Sequence, residues 1–178
     1  MKKLKYLLVL LVHAFGGCAV SGQLGVKTYA FEQVSLPGTI PSGVTDEAGN
    51  PINTSKASHP STYYIYLSHA PGSTIKPSAL WIKGQPYSFR MEAVTNTPVV
   101  HETPNNPQEV TKNILVPQTG DTVMRLMISA PINPPAALLP AETKMITDSA
   151  VVVRYSWKGK IYYAGASTVK TLAPLMHQ

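Results

Sequence analysis

The chain is predicted to fold as an all-β protein, an antiparallel β-sandwich of about eight strands joined by Pro-rich loops. Three observations lead there. Sixteen prolines in 178 residues are roughly twice the average share of about 5%. Charged residues make up only 13%, against about 25% in ordinary globular chains, too few for the long charged faces of a helical bundle. Short apolar runs of strand length also recur between loops rich in Pro, Gly, Ser and Asn, the spacing of turn-linked strands. A hydrophobic content of 44% excludes wholesale disorder, which goes with low hydrophobicity.

The elements follow in order. Lys27–Leu36, KTYAFEQVSL, reads as a first strand, and the Pro-, Gly- and Ser-rich stretch 37–61 as loop, with room for one short strand. Thr62–Ser68 is aromatic and β-branched, with Tyr63, Ile65 and Leu67 facing one way and Tyr64 and Tyr66 the other. Ala79–Ile82 and Pro86–Val94 flank a Lys83-Gly84 turn. In the second of these, Tyr87, Phe89, Met91 and Ala93 alternate with Ser88, Arg90 and Glu92, the pattern of a half-buried strand. Thr97–Pro107, with Pro98, Pro104 and Pro107, reads as broken chain. Val110–Val116 and Thr122–Ser129 surround a PQTGD turn, and Met124, Leu126 and Ile128 share a face. Ala130–Pro140 holds four prolines, which excludes regular structure there, and Ala136–Met145 has room for one helical turn.

Ala150–Ser167 reads as a hairpin turning at Lys158-Gly159. A three-residue loop would set Val151, Val153 and Tyr155 on one apolar face with Ile161, Tyr163 and Gly165. Arg154, Ser156, Lys160 and Tyr162 would then lie opposite. The tail Thr168–Gln178 has no assignment. The strand count suits a sandwich that is Ig-like in the broad sense, with a closed barrel as the alternative. The cysteine pair of antibody-type domains is absent, because the chain has one Cys.

Residues 1–17 carry the parts of an export signal. MKKLK is the basic end, and Tyr6–Phe15 is an apolar run too short for the about 20 residues of a spanning helix. Phe15-Gly16-Gly17-Cys18 resembles the lipobox of bacterial lipoproteins, in which a cysteine becomes the acylated N-terminus. Gly16 and Gly17 fit that pattern and Phe15 departs from it. The resemblance implies lipid attachment at Cys18 and a tether over 18–26, and the length of the chain predicts a single domain over 27–178. The alternative is ordinary cleavage after Ala19, Ser21 or Gly22. Gly43–Ile52, GVTDEAGNPI, resembles a turn of extracellular Ig-like and carboxypeptidase-regulatory-like modules. A generic β-turn accounts for the same residues.

The chemistry is sparse. Without Lys2, Lys3 and Lys5 of the leader, 12 basic residues face 9 acidic ones, with no cluster that would bind nucleic acid. His59, His69 and His101 lack the short spacing of a local metal site, and no nucleophile elbow, phosphate loop or dinucleotide fingerprint is present. No cofactor, metal or catalytic residue is expected. Asp46, Glu47 and Asn50 are read as turn residues rather than calcium ligands. A candidate binding surface is formed by Tyr64, Tyr66, Arg154 and Tyr162, since Tyr and Arg are enriched at recognition surfaces. The alternative is that loops or helices laid over one sheet bury those tyrosines as a second small core.

These features lead to one expectation. The protein is an exported envelope protein, lipid-anchored at the outer membrane or its periplasmic face, with a structural or accessory binding role. Its partners would be envelope proteins or glycans. A secreted or periplasmic soluble form, a carbohydrate-binding or adhesin-type module and, more distantly, a secreted hydrolase are the alternatives.

Overall fold

The computed structural model describes residues 24–36, 48, 60–106, 109–133 and 140–176. The leader, Cys18 and most of the Gly43–Ile52 turn lie outside the described residues. The elements are β1 (Lys27–Leu36), β2 (Ser61–His69), β3 (Lys76–Ile82), β4 (Gln85–Val94), β5 (Val99–Asn106) and β6 (Glu109–Val116). They continue with β7 (Thr122–Pro131), α1 (Pro140–Asp148), β8 (Val151–Trp157), β9 (Lys160–Ala166), β10 (Lys170–Thr171) and β11 (Leu175–Met176). The all-β expectation holds.

Most of the strands belong to a single sheet. One hydrogen-bonded path runs β10-β1-β2-β7-β4-β3-β8-β9, with β11 on β1, and β5-β6 form a separate ribbon. The long path curls into a half-barrel, which brings β9 back against β1. Its inner face collects Ile65 and Leu67 of β2, Leu80 and Ile82 of β3, Leu126 of β7 and Val151, Val153 and Tyr155 of β8. Burying each such aliphatic side chain stabilises the fold by about 1.5–3 kcal/mol relative to exposure.

The outer face has its own core. Phe31, Tyr66 and Val123 of the curled sheet pack with Leu115 and Val116 of β6 and with Leu172. The β5-β6 ribbon therefore covers β1, β2 and β7 from outside. The broken chain expected at 97–107 instead forms β5. Its Pro104 is accommodated because β5 is, among the described residues, paired on one side only, with β6, and the ladder shifts register beside that residue. The unassigned tail supplies β10 and β11, both parallel to β1. The single helical turn expected near 136–145 is the nine-residue α1.

The last hairpin corrects the expected register. Its loop has two residues, and Trp157 pairs with Lys160, Tyr155 with Tyr162 and Val153 with Ala164. Lys158 and Gly159 take φ of 48° and 74°, the two positive values of a type I′ turn, whose twist matches that of the strands. The Lys83-Gly84 turn, at 50° and 82°, is built the same way. A one-residue slip moves every side chain to the other face, so Tyr162 and Ala164 point inward while Ile161 and Tyr163 point out. Seeking a single apolar face misled because this hairpin is covered on both sides. The half-barrel takes the inner face, and α1 meets Tyr163 and Arg154 on the outer one.

Candidate functional site

The β3–β4 hairpin starts as a regular ladder and then opens. Only Leu80↔Tyr87, Trp81↔Pro86 and Ile82↔Gln85 pair across it. Beyond Tyr87, β4 follows β7 while β3 follows β8, each through a register shift, near Tyr87/Phe89 and Pro77/Ala79. The parting is not set at Pro86, which still pairs with Trp81 and turns its carbonyl to the Ile132 N–H. The gap is a cleft of about 670 Å³, within the 300–1,000 Å³ common for binding pockets. Two other hollows are smaller, about 410 and 320 Å³.

Its lining is mostly apolar. Pro77 and Leu80 stand on the β3 side, and Tyr87, Phe89 and Met91 on the β4 side. Met91 keeps 55% of its surface exposed. Ser78, Ser88 and Arg90 supply the polar groups. Arg90 has no ion-pair partner among the described residues. Among the described residues, no carboxylate or imidazole lines the cleft.

The four residues of the expected surface are dispersed. Tyr66 is only 4% exposed and belongs to the outer core. Tyr64 is half-buried beside it, its ring 4.7 Å from that of His101 and 5.7 Å from the Arg125 guanidinium. Arg154 lies on the outer face of β8, where Nη1 donates to Glu142 Oε1 at 3.0 Å and Nε to Ser78 Oγ at 3.2 Å. Tyr162 lies on the opposite face of the same hairpin, stacked on Tyr155 at 5.8 Å. The structure brings Tyr64 and Tyr66 together under the β5-β6 ribbon and separates Arg154 from Tyr162.

Sequence reasoning missed Gln33, which is 4% exposed. Its Nε2 donates to Thr103 Oγ1 at 3.1 Å and to the Ala173 carbonyl at 3.0 Å. Its Oε1 accepts from Tyr64 Oη at 3.0 Å and from His101 Nε2 at 3.2 Å. All four bonding positions of the amide are thereby used. His101 must carry its proton on Nε2, because the oxygen it meets only accepts. The alternation of KTYAFEQVSL offered a signal, since Gln33 shares a face with Tyr29 and Phe31.

Burial, and to a lesser degree the Arg125 charge, hold His101 below the usual histidine pKa of 6.5. In the unfolded chain it binds a proton more readily, so its contribution is complete above about pH 6.5 and is lost as pH falls from there through the folded value. Unfolding free energy should therefore decline below pH 6.5 in urea titrations, and His101→Gln should flatten that decline. An unchanged profile in the variant would contradict this role.

A second polar cluster joins the Lys83 turn to β1, where Lys83 Nζ, on a side chain 53% exposed, meets Glu32 Oε2 at 2.7 Å. The hydrogen bond from Lys83 holds the Glu32 carboxyl below its ordinary range against the opposing effect of burial. Tyr63 lies beneath the ammonium, 5.6 Å from ring centroid to Nζ. This pair bridges β1 to the β3–β4 turn across the curl. No family model, curated protein or solved structure matches the chain.

Proposed function

We propose that the chain is an exported cell-envelope protein, lipid-anchored through Cys18, that acts by binding a partner in the β3–β4 cleft. The observation that carries the binding role is the lining of that cleft, with aromatic and aliphatic side chains and, among the described residues, one cation without an ion pair and no carboxylate or imidazole. The leader and Phe15-Gly16-Gly17-Cys18 support export and anchoring. In this reading the two ends of the strand path, β1-β2-β7-β4 and β3-β8-β9, act as the two layers of an Ig-like sandwich, joined where the hairpin splays. A sugar-stacking role for Tyr64 and Tyr66 has less support, since both side chains already serve the outer core and its polar network.

Mass spectrometry of the native N-terminus, with membrane fractionation, tests the anchor. The expected result is a diacylglyceryl-modified Cys18 in the membrane fraction, with release of Cys18→Ala from it. An unmodified soluble chain beginning at Val20 or Gln23 would sink the proposal.

A further inference from the structure

We infer that the occupant of the cleft is an extended segment of a partner polypeptide, added as a strand along β4 and carrying a carboxylate opposite Arg90. This rests on the binding role proposed above. From Phe89 to Val94, β4 is laddered to β7 on one side and, among the described residues, to no strand on the other. Its outward backbone groups meet the cleft at the regular spacing of a strand edge, about 3.3 Å per residue. Such an edge, if left open, is a template for another chain.

The side chains specify the incoming strand further. Phe89 and Met91 share the inner face, and Met91 is bare apolar surface where a neighbouring strand would cover it. Alternate residues of the occupant are therefore apolar. Arg90 and Ser88 stand on the other face of β4. The register partner of Arg90 on β7 is Met127, which offers no carboxylate. A negative side chain at one outward position of the occupant supplies the missing countercharge. A small ligand would match neither the length of the edge nor its repeating donors and acceptors.

Panning of phage-displayed random decapeptides on the full chain tests this, with the enriched sequences resynthesised for affinity measurement. The expected peptides alternate apolar and polar residues, carry Asp or Glu at a polar position, and protect amides within 88–94 from hydrogen exchange. Arg90→Glu, at an exposed residue with no ion pair among the described residues, should weaken them at least about tenfold, one charge contact in affinity terms. Ala79→Trp should weaken them similarly by filling the opposite wall. No enrichment, or peptides bound equally well by Arg90→Glu, would overturn the inference even if Ala79→Trp failed to fold. Self-association of the chain that is abolished by Arg90→Glu would also overturn it, by making a second copy the occupant. The mass of the native N-terminus decides the anchoring separately, so failure here is distinguishable from failure there.

Discussion

Replacing Gln33 with methionine should cost about 3 kcal/mol of stability and lower Tm by roughly 10 °C. Methionine keeps much of the volume and removes all four hydrogen bonds. The Thr103 hydroxyl is fully buried, so it loses its donor with no water to replace it. The Tyr64 hydroxyl and the His101 ring are half-buried and recover part of their loss from solvent, which holds the total near 3 kcal/mol rather than at the sum of four unsatisfied groups. Because Gln33 ties β1 to β5, β2 and the segment before β11, the same variant should loosen the β5-β6 ribbon first. Urea unfolding gives the free energy, and hydrogen exchange in β5 and β6 gives the location. A change under about 1 kcal/mol would mean that the network is not the fastening it resembles.

Removing Arg154 should have a comparable effect through a different mechanism. The Glu142 side chain is 3% exposed, whereas that of Arg154 is 33% exposed. Arg154→Ala leaves the carboxylate buried with Tyr163 Oη at 3.0 Å as a remaining donor. Breaking a buried pair from one side costs about 3–5 kcal/mol, and the partial exposure of Arg154 places this case at about 3. The cost lies in the stranded charge, so adding Glu142→Gln to Arg154→Ala should recover part of it. If the double variant were less stable than the single one, packing rather than charge would be the cause. Pro140 opens α1 without wasting an N–H, and Glu142 sits in the first turn, where a negative charge favours the helix. The clamp therefore orients the helix as well as holding it.

Much of the strand layout was legible because period-2 alternation survives wherever one face meets solvent. β4 shows this, with Tyr87 and Phe89 inward and Ser88, Arg90 and Glu92 outward. β2 shows the limit of the method. Tyr64 and Tyr66 read as outward, which is correct for direction, but the outward side is covered by a ribbon formed far along the chain. A run such as TYYIYLS, apolar on both faces, is what two-sided burial produces. The same blindness to the second layer caused the one-residue error in the last hairpin, where Tyr163 reaches Glu142 and Tyr162 joins the inner core.

The cleft was not legible in advance. The sequence placed Leu80 and Tyr87 on either side of a Lys-Gly turn. Where two paired strands part depends on which neighbours they follow, and β7 and β8 are contributed by segments far along the chain, β7 starting only at Thr122 and β8 at Val151. Gln33 was equally hidden, because its partners at Thr103 and Ala173 are separated from it by 70 and 140 residues.

Amide hydrogen exchange of the free protein along β4 tests the central claim most directly. Within Ser88–Val94, the amides that face β7 should be strongly protected, while those that face the cleft should exchange nearly as fast as loop amides. Uniform protection along the whole of β4 would contradict the account, because it would mean that the edge is already paired and the cleft closed.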